Sequence, residues 1–409
     1  MALSSFSNKW AKIALHFLVF AAIAGVGLRF YNFSMIEGVN YKFLLHTHSH
    51  VALLGWMFLA FAVAMVKEFL PDKTEAFHKI LLLTLISVIG MMVSFPFQGY
   101  AAISITFSTL FLFASYWFVI VFYKELNKAG DNSLSAKWIR WSLFFLIISS
   151  FGPWSLGPIM VFGESHGVLY NLAIYYYLHF LYNGFFVLAA FGIIFKQLDN
   201  KGIDYNVKRA QLFFQLTVYG VIPAYALSML WISPSIWVYL IGGLAGAAQL
   251  IAFVIGLPML KLFLRNIISR FYKSVFVLIL MAYTVKVLMQ FLSAFPALAA
   301  YAYETRVFTA IGYIHLVMLG FLSLFILIYF VKTKTFTDYL PGRIGVAVFS
   351  IGIMLSEIIL FSNGIILSTK GSFIPDYSLW MLLTSSLMPI GIVIFWINQM
   401  SKKRSDTSV

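Results

Sequence analysis

Eight histidines stand in a chain that is otherwise poor in titratable groups, and three of them open the same short pattern. His50 is followed five positions later by Gly55 and then by Trp56, in HVALLGW. His179 leads in the same way to Gly184 and Phe185, and His315 to Gly320 and Phe321. The first lysine after each apolar run stands 17 residues beyond its histidine: Lys67, Lys196 and Lys332. This places the three histidines at one depth. Imidazole inside hydrocarbon is costly unless it is hydrogen-bonded, paired or bound to metal, so a matched set points to a shared cofactor site. The glycine lets a flat ligand or a neighbouring helix come close, and the aromatic beside it can stack.

Around His50 the chain reads HTHSH. His46 and His50 are one helical turn apart and share a face, whereas His48 points elsewhere. The ligand candidates are therefore His46 or His50 together with His315, with Gly55, Trp56 and Gly320 beside them. His48, His166 and His179 are further metal candidates. His166, next to Glu164 at the outer mouth of its helix, suits an exposed capping role equally well. His16 and His78 read as interfacial. Lys286 and Glu357 are charges within apolar runs, which makes them candidates for a proton path or partners of each other.

The elements that must position these residues are membrane helices. The 409 residues are 62% hydrophobic, 18% aromatic and only 10% charged, with a mean hydropathy of +0.92, well beyond the composition of a soluble globule. The expected fold is all-α: one transmembrane domain over 1–409, with 399–409 as a short tail. Twelve runs are long enough to cross roughly 30 Å of hydrocarbon. They lie near 11–33, 45–66, 79–98, 102–123, 138–156, 168–195, 210–232, 236–260, 274–299, 307–331, 344–366 and 378–399. The first follows Lys9 and Lys12 and has no cleavage pattern before Arg29, so it reads as retained. The absence of cysteine excludes disulfides, thiolate-held iron–sulfur clusters and covalently attached c-type haem within this chain.

With the N-terminus in the cytoplasm, all but five of the 28 Lys and Arg fall in cytoplasmic tails and loops. Arg29, Lys42, Arg306 and Lys370 lie outside and Lys286 lies within a helix. That bias follows the positive-inside rule and predicts both termini in the cytoplasm, in a plasma membrane of bacterial type. The net charge of +14 is then accounted for by topology and by attraction to anionic lipid, leaving no case for nucleic acid as a partner. Arg29, Lys42 and Arg306 are on the side where haem propionates would want positive partners. The marked histidines fall on helices 2, 6 and 10, which implies three repeats of four helices.

Twelve helices with cytoplasmic termini, a threefold repeat and histidines on helices 2 and 10 resemble the catalytic subunit of the haem-copper oxidases. The branch containing C-type oxidases and nitric oxide reductases is the nearest. LLHTHSHVALLGW resembles that branch's helix 2 segment at His46, and IGYIHLVMLGF resembles its helix 10 pair of histidines separated by one residue. The resemblance implies that His315 and a helix 2 histidine hold a low-spin b-type haem. The family's high-spin haem ligand is matched here by Tyr313, and the helix 7 copper pair has no counterpart between Ala210 and Trp231. The remaining copper ligand is matched either by His179 or by His166, whose segment HGVLY to Tyr170 resembles the family's helix 6 histidine–tyrosine motif. The implied function is electron transfer, or handling of oxygen or nitric oxide, as an oxidoreductase with a degenerate binuclear site. Its partners would be other respiratory membrane subunits or an electron donor, and copper would need His166 or His48 to join His179. The rival is a secondary transporter of a small solute or ion. The commonest twelve-helix transporters divide six plus six, whereas this motif recurs every four helices. A scaffold without cofactor is the third reading.

Overall fold

In hydrocarbon every backbone N–H and C=O must be bonded within its own segment, which turns a long apolar run into a helix. The computed structural model describes residues 2–163, 167–267 and 269–401. Among them twelve helices are long and apolar enough to cross a membrane, and there is no strand. They are α1 (Leu3–Phe33), α2 (Tyr41–Phe69), α3 (Pro71–Gln98), α4 (Ala102–Lys128), α5 (Leu134–Val161) and α6 (Val168–Asp199). The chain continues as α7 (Val207–Ile232), α8 (Ile236–Arg265), α9 (Arg270–Leu292), α10 (Arg306–Lys332), α11 (Leu340–Lys370) and α12 (Tyr377–Met400). The chain is thus an all-helical polytopic membrane protein. One expected boundary is corrected: helix 9 ends at Leu292 rather than 299. Pro296, which has no N–H to donate, opens a separate short helix, Pro296–Glu304.

Along the chain α3 pairs with α4, α7 with α8 and α11 with α12. Between them α1, α5 and α9 pack on α2, α6 and α10 respectively, and α12, α4 and α8 close the ring against α1, α5 and α9. The contact pattern therefore recurs every four helices. At the tightest pair, a Cβ on Gly391 would lie 2.3 Å from the Phe349 nitrogen and one on Gly345 would lie 2.6 Å from the Phe395 nitrogen. Only glycine lets α11 and α12 bring their backbones together there.

The helices α2, α6 and α10 touch one another and form the centre. Large exposed apolar side chains on them are confined to one end, at Leu45, Val168, Leu169 and Val307, whereas the outer helices carry Ile86, Ile120, Leu244, Ile251 and Ile390 on open faces. Hydrogen bonds at the other end fix the register of the three. Lys67 Nζ donates to the Thr333 carbonyl at 2.9 Å, and Lys332 Nζ donates to Gln197 Oε1. Lys196 pairs with Asp131 at 2.7 Å. The lysines 17 residues beyond their histidines thus form one layer, called here the lysine end.

Each central helix also widens to i→i+5 hydrogen bonding immediately after its histidine: Val51–Phe58, Phe180–Phe186 and Leu316–Ser323. Such π-segments are rare and concentrate at functional sites. Each contains the glycine of the motif, and each glycine receives a neighbouring helix. A Cβ on Gly55 would lie 2.8 Å from Phe17 Cγ, one on Gly184 would lie 2.6 Å from Phe145 Cβ, and one on Gly320 would lie 3.2 Å from Ala282 Cβ.

Candidate functional site

The five residues HTHSH lie in the second and third turns of α2, whose start is capped by Asn40 Oδ1 accepting from the Lys42 and Phe43 amides. The helix rotation separates the three histidines. His50 donates from Nδ1 to the His46 carbonyl at 2.8 Å, so its Nε2 is the acceptor for the Tyr100 hydroxyl at 2.9 Å. Both ring nitrogens are therefore engaged. The His46 ring lies edge-on to Tyr100 with centroids 4.6 Å apart. Neither ring lies in the cavity that holds His315.

His48 does. Its Nδ1 donates to the Ala21 carbonyl of α1 at 2.8 Å, which fixes the tautomer and leaves Nε2 as the free lone pair. The ring lies on the backbone of α1, where a Cβ on Gly25 would be 3.0 Å from His48 Cε1. Together with His315 it lines a cavity of about 260 Å³ enclosed by α1, α2, α10, α11 and α12. The walls are mostly apolar, with Ala21, Ala52 and Met318 among them, while Arg29, Asn32 and Tyr41 line its histidine-end margin. Trp56 and Ser323 also line it, and the indole N–H donates to the serine hydroxyl at 2.8 Å. Of the three, the structure brings His48, and neither His46 nor His50, to the cavity that His315 lines. The expectation followed the aligned motif position; the twist of α2 turns that face toward α3 instead.

His315 brings a second group with it. Its Nδ1 is buried without a hydrogen-bond partner and lies 3.8 Å from Glu357 Oε1 on α11; both Glu357 oxygens are likewise buried and unpartnered. A neutral imidazole with its proton on Nδ1 facing this carboxyl keeps its Nε2 lone pair for a ligand. Glu357 and Lys286 do not pair. Lys286 Nζ reaches Gln249 Oε1 at 3.4 Å and lies 5.2 Å from the centre of the Tyr283 ring.

A larger cavity of about 450 Å³ opens between α6, α7, α9 and α10. His179 and Tyr313 both line it, and Leu178 and Ile314 line both cavities and so form the wall between them. His179 has no free nitrogen. Its Nε2 donates to the Val221 carbonyl at 2.8 Å, and its Nδ1 accepts from the Asn183 amide at 3.3 Å. The Val221 carbonyl is available because α7 tightens to a 3-10 turn at Tyr225, whose N–H bonds Ile222 and Pro223 instead. His166 lies outside the described residues. Among the described residues no three His, Cys, Asp or Glu side chains gather as a metal site. Arg306 lines the larger cavity, and Lys42 lines neither.

One rule relates the pairs. Each cavity takes the motif histidine of one central helix and the residue two positions before the motif histidine of the next: His315 with His48, and His179 with Tyr313. Asn183, Gln290 and Trp231, which the sequence reading passed over as ordinary helix residues, are polar groups of the larger cavity. No protein-family model matches this chain. No curated protein matches it either.

Proposed function

We propose that this is a haem-binding membrane protein with a role in electron transfer, built on a haem-copper-oxidase-like plan of three four-helix repeats. Its haem ligands are His48 and His315. The observation that carries this is their convergence on one mostly apolar cavity, each with Nε2 unclaimed by protein. His48 is oriented by the Ala21 carbonyl, and His315 is backed by Glu357, the arrangement in which a metal-ligating imidazole is held and made more basic. Arg29 at the margin offers a cation to propionates. A haem held by two histidines supplies one-electron chemistry and no open iron position. The Leu and Met side chains around it exclude water, which with the Glu357 carboxyl tunes the potential.

The same reading places both termini in the cytoplasm of a plasma membrane of bacterial type, with a redox partner at the histidine end. The recurrence of helix contacts every four helices favours it over a six-plus-six transporter. Copper at His179 requires one of that residue's hydrogen bonds to be given up, at Nδ1 the one from the Asn183 amide. The test is the reduced-minus-oxidised spectrum of protein purified after haem-supplemented expression. The sharp bands of six-coordinate b-type haem are expected, one per chain by extracted haem. Colourless, iron-free protein would remove the reading.

A further inference from the structure

The face of α2 turned toward α3 carries two imidazoles that the smaller cavity does not use. His46 and His50 are one helical turn apart, the spacing at which two histidines of one helix grip a single metal ion. Their ring centres are 6.4 Å apart. Two imidazoles that share an ion have centres roughly 4.5–6.5 Å apart, so the pair stands at the wide end of that range. A small turn of His46 closes it. The hydrogen bonds of His46 run through its backbone carbonyl, from Ser49 and His50, and among the described residues neither of its ring nitrogens is bonded or sealed from the surface. His50 is already oriented as a ligand would be. Its Nδ1–H donates to the His46 carbonyl at 2.8 Å, the outer hydrogen bond that fixes the tautomer of a metal-bound histidine and leaves the lone pair on Nε2.

Tyr100 supplies a third group. Its hydroxyl oxygen lies 2.9 Å from His50 Nε2, and its ring centre lies 4.6 Å from that of His46. Two ligand atoms at right angles on one ion, each about 2.0–2.1 Å from it, are themselves about 2.9 Å apart. The hydrogen bond thus already has the spacing of two neighbouring ligands. The turn between α3 and α4 that carries Tyr100 is firmly seated. Gly99 has a φ of +59°, and a Cβ there would lie 2.3 Å from Phe43 Cε1, so glycine is what lets the turn rest on the start of α2. Ser104 Oγ donates to the Gly99 carbonyl and accepts from the Ala101 N–H at 2.9 Å. Phe95 packs on the pair, its ring centre 4.5 Å from that of His50, while Tyr100 is 47% exposed, so an ion reaches the group from the surface.

We propose that His46, His50 and Tyr100 bind one divalent transition-metal ion at the histidine end, with Cu2+ the strongest binder of the series at such nitrogen and oxygen ligands. The ion takes one ring nitrogen of His46, Nε2 of His50 and the phenolate oxygen of Tyr100, and the phenol proton leaves to water as the ion enters. The inference stands apart from the haem reading, since neither His46 nor His50 lines the cavity of His48 and His315.

The test uses the untagged full chain in nanodiscs, titrated with Cu2+ delivered from glycine. Electron paramagnetic resonance reads the ligands, and the copper-loaded-minus-copper-free absorption difference cancels any haem. One Cu2+ per chain is expected, with the hyperfine pattern of two imidazoles and a phenolate-to-copper charge-transfer band. His46→Ala and His50→Ala should each lower the affinity at least about tenfold, since loss of even a group behind a ligand costs that much. Tyr100→Phe should abolish the charge-transfer band and keep the nitrogen pattern, a change that a merely structural tyrosine would not produce. The native spectrum needs no variant and so holds even if a variant fails to fold. Absence of saturable copper, a native spectrum without the phenolate band, or binding indifferent to both histidine substitutions, as at the exposed His16, would overturn the proposal. His48→Ala should leave the copper affinity as it is, which separates failure here from failure of the haem assignment.

Discussion

The Glu357 carboxyl lies 3.8 Å from Nδ1 of His315, and neither group has another hydrogen-bond partner. A small side-chain rotation would join them. A carboxylate behind a ligating imidazole raises its basicity and favours the oxidised metal. Glu357→Gln should therefore raise the midpoint potential, and Glu357→Leu should raise it further while weakening haem retention by about 10–100-fold. Potentiometric titration of the reduced band reads both. Equal potentials in all three proteins would show that Glu357 does not act on His315.

Removal of single histidines distinguishes the two faces of α2. His48→Ala and His315→Ala should each abolish the six-coordinate spectrum, because each removes one of the two free Nε2 groups on the smaller cavity. His46→Ala and His50→Ala should retain it, since those rings face Tyr100 and Phe95. Loss of the spectrum in His50→Ala with retention in His48→Ala would return the assignment to the aligned motif position.

The motif glycines should not behave alike. An added methyl at Gly184 would sit 2.6 Å from Phe145 Cβ, an atom that cannot swing aside, so Gly184→Ala should lower stability by about 1–3 kcal/mol. At Gly320 the nearest atom is 3.2 Å away, and the gain in helix propensity of about 1 kcal/mol offsets most of the crowding. Gly320→Ala should lie close to the native protein. Thermal unfolding in one detergent gives the order, and the reverse order would contradict the packing described.

Asp131 lies in the connection between α4 and α5. Partial burial pushes its carboxyl upward, but hydrogen bonds from Lys196 and Ser133 outweigh this and hold it below the ordinary carboxylate value. A depressed folded value means that the stabilisation is fully present above the unfolded value of about 3.9 and is lost as pH falls through the folded one. Asp131→Asn should accordingly be less stable at neutral pH, with the gap closing on the acid side of about pH 4. Unfolding curves at neutral and acid pH check this; a gap that widens with acid would reverse the sign.

The helical membrane class was legible in composition, and the special status of helices 2, 6 and 10 was legible in the spacing from histidine to glycine and lysine. Lys67, Lys196 and Lys332 do share one end. Which histidine faces which cavity was not legible. Spacing gives depth, but rotation about a helix axis depends on the neighbour that each face meets, and here His48 meets Ala21 while His50 meets Tyr100. The π-segments were equally hidden, because a single wider turn leaves the apolar run unbroken. The unpaired oxygens of Asn183 and Gln290 arise from packing among four helices far apart in sequence.

The lysine end offers a test of how the three central helices are held. Glu68 on α2 is buried and accepts from Tyr329 on α10 at 2.7 Å, from Gln197 on α6 at 2.6 Å and from Asn200 at 3.2 Å. Between helices whose surfaces are no more apolar than lipid, hydrophobic burial supplies little association energy, so packing and polar clamps of this kind weigh more. Glu68→Ala leaves three donors without their acceptor beside two lysines, and should cost about 3–5 kcal/mol, the usual scale for breaking one side of a buried charged network. Glu68→Gln keeps the shape and one acceptor and should cost about 1–3 kcal/mol. Tyr329→Phe removes one donor and should cost less than either. The double variant Glu68→Ala with Tyr329→Phe should lose less than the two single changes added together, because both act on one bond. None of these changes touches the cavity of His48 and His315, so the haem spectrum of whatever protein remains folded should be unaltered. A Glu68→Ala protein that unfolds at the native temperature would show that the polar layer is not what fastens α2 to α6 and α10.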